Sequence, residues 1–125
     1  MRHDVAIIGA GVVGAMAARE LSRYDLKVCL LEKENDVAMG ASRANSGIIH
    51  GGYDPIPGTM KAKMNTAGVS LLYEAAKELN AHYENNGSFV CAFGEDEEPA
   101  IDALYQRGLT NGIEQLQILT GDEAR

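Results

Sequence analysis

The sequence predicts an α/β fold that opens with a strand, a tight turn, a helix and a second, parallel strand, and three features predict it. Val5 to Ile8 is a continuous apolar run, Gly9, Gly11 and Gly14 follow at G-x-G-x-x-G spacing, and a second apolar run, Lys27 to Leu31, ends at Glu32. A run that is apolar at every position suits a strand covered on both faces of a parallel sheet. Gly9 permits the tight turn, Gly11 lets a pyrophosphate approach the backbone, and Gly14 lets the helix pack on the strand. Ala15 to Arg23 supplies good helix formers before Tyr24 and Asp25 end the segment. The start of that helix carries unpaired N–H groups and a partial positive charge, both of which favour phosphate. Glu32, at the end of the second strand, is placed to accept from a ribose hydroxyl. Together these pieces read as a Rossmann-like dinucleotide-binding unit, with Gly9, Gly11, Val13, Gly14, Glu32 and Lys33 as candidate cofactor contacts.

Composition excludes several other classes. A chain of 125 residues that is 46% hydrophobic and 23% charged is an ordinary globular composition. Its formal charge of −7 argues against a nucleic-acid partner, because phosphate recognition needs clustered Lys and Arg. The acidic run Glu95 to Glu98 reads as a solvated helix entrance. Cys29 and Cys91 lie far apart within apolar runs and read as buried reduced thiols, which points to the cytoplasm. Arg2 followed by an apolar stretch imitates a signal peptide, but Gly9, Gly11 and Gly14 weaken the short helix such a segment needs. Three scattered histidines and two cysteines lack metal-ligand spacing, so no metal is expected.

The choice of dinucleotide turns on the segment after Glu32. Instead of another helical crossover, the chain continues into a long loop, NDVAMGASRANSGIIHGGYDPIPG. Loops of this length are usually functional or disordered. This one carries small residues, Gly40, Ala41, Ser42 and Gly47, whose backbone N–H groups suit phosphates and whose size suits a flat ring. Asn45 and Ser46 add small polar groups, and Ile48 and Ile49 read as an apolar anchor that holds His50 in place. Flavin is the ring this pattern favours. His50 is the candidate catalytic residue, since a held imidazole can take a hydroxyl proton as hydride leaves for the flavin; the alternative is that His50 only hydrogen-bonds the flavin or a carbonyl.

DVAIIGAGVVGAMAARELSRYDLKVCLLEKE followed by GASRANSGIIHGGYDPIPGTMKAK resembles the FAD-dependent oxidoreductases of the D-amino-acid oxidase superfamily, in the branch of glycerol-3-phosphate and L-2-hydroxyglutarate dehydrogenases. The similarity continues through YENNGSFVCAFGEDEE and GDEAR. It implies FAD as cofactor, with adenosine on Glu32, pyrophosphate over Gly11, Gly14 and the Ala41–Ser42 region, and isoalloxazine near Asn45, Ser46, Gly47 and His50. Tyr24-Asp25-Leu26 departs from the glycine-containing turn common at that point. By resemblance, residues 1–86 are the N-terminal part of an FAD-binding domain and 87–125 begin a mixed α+β substrate domain.

Further along, Thr59 caps a helix reaching about Tyr83, with Met60, Met64, Ala67, Leu71, Ala75 and Leu79 as a core-facing stripe. Ser88 to Phe93 reads as a strand, Pro99 as the first turn of a helix stopped near Gly112, and Gln115 to Leu119 as a half-buried strand. Thr120 to Glu123 matches a capping box that opens a helix with only Ala124 and Arg125 beyond, which reads as a truncated chain. His3 reads as a surface residue and His82 as an imidazole near the carbonyls at the helix end.

The function expected is that of an FAD-dependent dehydrogenase oxidising sn-glycerol 3-phosphate, passing hydride from the alcohol carbon to flavin N5. Alternatives are an L-2-hydroxyglutarate or other 2-hydroxy acid dehydrogenase or oxidase, an amine or amino-acid oxidase of the same superfamily, and a non-catalytic nucleotide-binding fragment. A small-molecule substrate is the expected partner, with a peripheral-membrane or electron-acceptor partner for a longer protein. The 125 residues alone are expected to be inactive and to self-associate.

Overall fold

The computed structural model describes residues 2–125. The chain divides into two compact units, Met1–Gly47 and Ile48–Arg125. The domain boundary expected near residue 86 falls inside the second of these.

The first unit is the predicted strand–helix–strand. β1, Val5–Ile8, pairs in parallel with β2, Val28–Leu31, in the register Val5 to Val28 and Ile8 to Leu31. Backbone bonds extend the ladder at both ends, from Asp4 N–H to the Lys27 carbonyl (2.9 Å) and from Gly9 N–H to the Leu31 carbonyl (2.7 Å). The connecting helix α1, Val12–Leu21, packs on both strands. It starts three residues earlier than the helix formers Ala15 to Arg23 suggest. Gly11 is extended (φ −73°, ψ 177°) and serves as N-cap, so the first turn of α1 begins directly on the glycine turn.

Coverage of the sheet is less complete than the apolar runs predict. Only alternate residues of β1 are shielded, and Ile8 is 88% exposed. A two-stranded sheet with one helix can cover only one face; the expected burial on both faces needs further strands and a second helical layer.

The second unit is built on two helices, α2, Met60–Glu78, and α3, Glu98–Thr110. Thr59 caps α2 as expected, its hydroxyl oxygen accepting the Ala62 N–H at 3.2 Å while its O–H donates to the Ile56 carbonyl at 2.7 Å. The helix ends at Glu78 with Leu79 as C-cap, earlier than Tyr83, because Asn80 turns into the left-handed region (φ 51°). His82 therefore lies beyond the helix end rather than over its last carbonyls, 3.4 Å from the Glu84 carboxylate. Tyr73 and Tyr83 stack with ring centroids 5.0 Å apart. The acidic run is exposed at the entrance of α3, and Pro99 sits in its first turn.

Three expectations are corrected here. The segments Ser88–Phe93 and Gln115–Leu119 are irregular rather than strands. A strand exists only with a hydrogen-bonded neighbour, and among the described residues neither segment has one. Cys91, in one of these irregular segments, is exposed, and Cys29, in β2, is only half-buried; both are free thiols. The stripe on α2 is core only in part: Ala75 is buried as expected, but Met60, Met64, Ala67, Leu71 and Leu79 are exposed, and Ala62, outside the stripe, is buried. Ala10, Ala62 and Ala75 are the buried hydrophobic residues among those described.

Thr59→Ala removes an acceptor from the first turn of α2 and is expected to cost about 1 kcal/mol, the usual worth of an N-cap, with Thr59→Ser near neutral. Urea unfolding followed by circular dichroism measures both; equal loss from the two variants would assign the effect to packing of the Thr methyl instead.

Candidate cofactor-binding and active site

The first unit gathers most of the predicted cofactor contacts around the turn between β1 and α1. Gly9 adopts φ +98°, which a side-chain-bearing residue reaches only with strain. A Cβ on Gly14 would run into the Gly9 carbonyl and stand 3.3 Å from Ile7 Cγ2, so a residue without a side chain is what lets α1 close on the turn. A Cβ on Gly11 would lie 3.1 Å from Ser42 Oγ.

The Ser42 hydroxyl oxygen accepts the Val12 N–H at 2.8 Å, a cap supplied from thirty residues away to a helix whose own N-cap residue has no side chain. The N–H groups of Val13 and Gly14, also in the first turn, have no acceptor within the helix and remain available to an anion. No acidic residue stands in that turn to compete. The side chain of Val13 is 81% exposed, so only its backbone is suited to a polar ligand.

A second tie holds the loop to the turn. Ala38 N–H donates to the carbonyl of Ala10 at 3.0 Å, and Ala38 does so with φ at 59°, a strained position for alanine. Ala10 is itself 3% exposed. Sequence reasoning missed both, since alanine in a loop carries no signal of an unusual backbone angle.

Glu32 closes the other side of the turn. One carboxylate oxygen accepts the Ala10 N–H at 2.7 Å, and the other accepts those of Lys33 (2.8 Å) and Glu34 (3.1 Å). The Ala10 bond is the largest cause holding this carboxyl below its ordinary pKa, followed by the Glu34 N–H, with the Lys33 N–H and charge adding less against a small burial penalty. A carboxylate offers about four acceptor positions, so three backbone bonds leave one for a ribose hydroxyl. The Lys33 side chain points away, exposed and 3.3 Å from Glu34.

In the rest of the loop Asn45 is occupied locally. Its amide donates to the carbonyls of Ala41 (3.1 Å) and Ser42 (2.6 Å), and its oxygen accepts the Gly47 N–H at 2.8 Å. Asn45 thus shapes the Ala41–Gly47 turn, in which Gly47 has φ +66°. Ala41, Ser46 and Gly47 are exposed, presenting small groups and bare backbone.

His50 belongs to the second unit. The expected apolar anchor is incomplete: Ile49 is half-buried but Ile48 is 62% exposed, because no apolar layer lies over it among the described residues. His50 instead stands at an open cleft of about 450 Å³ shared with Tyr53, Asp54, Lys61 and Asn65. None of these four was assigned a role from sequence; Tyr53, Asp54 and Lys61 stood in quoted segments and Asn65 in none. Among the described residues no group of His, Cys, Asp and Glu side chains is arranged to hold a metal ion.

A βαβ turn of this geometry, with a capped helix N-terminus, a flanking loop and an acid at the end of β2, defines a dinucleotide-binding protein. The sequence profile of the FAD dependent oxidoreductase family, the D-amino-acid oxidase family, matches residues 4–125, and the chain belongs to that family. It is 49% identical over 120 residues to a glycerol 3-phosphate dehydrogenase of Caloramator mitchellensis, covering 96% of this chain and 25% of that protein. It is 40% identical over 123 residues to the mitochondrial L-2-hydroxyglutarate dehydrogenase of Dictyostelium discoideum, covering 97% of this chain and 28% of the relative. Among solved structures, dithionite-reduced L-α-glycerophosphate oxidase from Mycoplasma pneumoniae with FAD bound superposes with a TM-score of 0.85 at 37% identity, covering 99% of this chain and 33% of that one. The chain therefore spans a quarter to a third of the length of these relatives. FAD is the family's cofactor, and the turn fits it: close backbone approach is open at Gly9, first-turn N–H groups are available, and Glu32 retains acceptor capacity.

Because the folded pKa of Glu32 is depressed, its contribution to stability is fully present above the ordinary glutamate value of about 4.3 and is lost as pH falls through the folded value. The stability gap between the wild type and Glu32→Gln is expected to be present at neutral pH and to close under acid. Unfolding curves across that range measure it, and a gap that persists unchanged at the acid end would remove the carboxylate's role. Glu32→Ala is also expected to weaken FAD binding about tenfold or more, by loss of a charged acceptor, measured by titrating apoprotein with FAD.

Proposed function

We propose that this chain carries the FAD-binding segment of a dehydrogenase or oxidase acting on sn-glycerol 3-phosphate. The observation that carries this is the likeness to an FAD-bound glycerophosphate oxidase over 99% of the chain, supported by 49% identity to a glycerol 3-phosphate dehydrogenase. Oxidation of L-2-hydroxyglutarate is the second reading, favoured by the 40% identity to enzymes of that name. Both substrates present the same chemical problem, a secondary alcohol to be oxidised beside an anionic group.

When bound, FAD supplies the acceptor for the hydride that leaves the alcohol carbon. This chain's residues do the rest. The first turn of α1 neutralises the pyrophosphate with the Val13 and Gly14 N–H groups, Ser42 fixes the loop against that turn, and Glu32 accepts a ribose hydroxyl. His50, at the cleft of the second unit, takes the hydroxyl proton on a ring nitrogen, so that the alcohol oxygen becomes a carbonyl as the C–H bond breaks. Tyr53, Asp54 and Lys61 share that cleft, with the Lys61 ammonium 3.8 Å from the Asp54 carboxylate. The two free cysteines are in keeping with a reducing, cytoplasmic compartment.

In the FAD-loaded protein, His50→Ala is expected to slow flavin reduction by about 10²- to 10⁴-fold with FAD content unchanged. Stopped-flow absorbance of the flavin band reads this directly, and a rate within a few-fold of wild type would leave His50 without the proton role. Comparing kcat/KM for the two substrates decides between the two readings.

A further inference from the structure

His50 is carried on the loop that runs through Pro55, and its side chain is exposed. The loop itself is fastened by α3 at three successive points. Asn111, the C-cap of α3, donates both hydrogens of its amide into the loop, to the carbonyl of Gly52 at 3.0 Å and to that of Pro55 at 2.8 Å. One turn earlier, Arg107 donates to the carbonyl of Asp54 at 2.8 Å, with the Asp54 carboxylate 4.0 Å from the same nitrogen. Between them, Gly108 is buried, and a Cβ there would meet Tyr53 Cβ at 3.0 Å and collide with Leu116 Cδ1. A bare backbone at 108 is what lets helix and loop approach this closely.

The loop can accept these bonds only in one shape. Gly52 is buried at φ +87°, and a side chain there would press on Ile113 Cδ1 at 3.1 Å and Thr66 Oγ1 at 3.3 Å. Pro55 is buried and fixes its own φ. Two buried residues at the ends of a four-residue turn are thus joined by one side-chain amide. Arg107 and Asn111 hold this loop by long-range side-chain hydrogen bonds to its backbone carbonyls, a pattern that sets loop position and leaves the side chains of Tyr53 and Asp54 at the cleft with His50.

We propose that Asn111 and Arg107 are positioning residues of the active site, bracing the His50–Pro55 loop so that the imidazole is held where it can take the substrate proton. The proposal rests on the reading of His50 given above. A base displaced by about 1 Å can cost 10²-fold in rate, so the brace acts on flavin reduction rather than on FAD binding.

Asn111→Asp tests it in the FAD-loaded protein: the shape is kept, both donors are lost, and carboxylate oxygens face two carbonyls. Flavin reduction by whichever of sn-glycerol 3-phosphate or L-2-hydroxyglutarate is the better substrate should fall roughly 10- to 100-fold at saturation, with FAD content unchanged. The same substitution in a His50→Ala background should add less than about threefold, because a residue acting through His50 has nothing left to position. Arg107→Met, which keeps the stem and removes the donor, should behave likewise and decides the matter if Asn111→Asp does not load FAD. Equal losses in both backgrounds, or full-speed reduction by both variants, would overturn the brace while leaving His50 in place. Unchanged reduction by His50→Ala alone would overturn the reading of His50, and the brace with it.

Discussion

No side chain fits between Gly14 and the carbonyl of Gly9, and the rest of the first unit depends on that close approach. It sets α1 directly on the end of β1, so that the helix begins at Val12 with its free N–H groups at the glycine turn. The turn is then completed from outside. Ser42 caps the helix, Ala38 ties the loop to Ala10, and Glu32 collects three N–H groups from the opposite side. Ser42 and Glu32 here satisfy backbone N–H groups that would otherwise lack a partner, while those of Val13 and Gly14 remain for an anion.

Among the described residues burial is concentrated at alanines and glycines, while Ile8, Val13 and Phe93 stand largely exposed. Two parallel strands and one helix cannot enclose their own apolar runs, and α2 buries Ala62 and Ala75 while its methionines face outward. The relatives that resemble this chain are three to four times its length, since it spans 25% to 33% of them.

In the second unit, constraint comes from hydrogen bonds to a loop rather than from a core. Gly52, Pro55, Gly108 and Asn111 form one interlocked contact between a turn and a helix end. Gly52 and Pro55 of that contact line the cleft with His50, Tyr53 and Lys61.

The sequence by itself determined the βαβ unit, the placing of its three glycines and its acid, the caps at Thr59 and Thr120, and the family. These are local or periodic signals, in which each residue's requirement is met by near neighbours: Gly9 by its own φ, Thr59 by Ala62, Glu123 by Thr120. Tertiary structure alone decided the rest. Whether Ser88–Phe93 and Gln115–Leu119 become strands depends on a partner strand, which no local pattern supplies. The burial of the α2 stripe depends on what packs against it, and the roles of Ala38, Ser42 and Asn111 exist only because segments distant in sequence meet. A hydrogen bond between residues thirty or sixty apart leaves no periodicity to read, so the residues that fix the site's shape stay silent until the chain is folded.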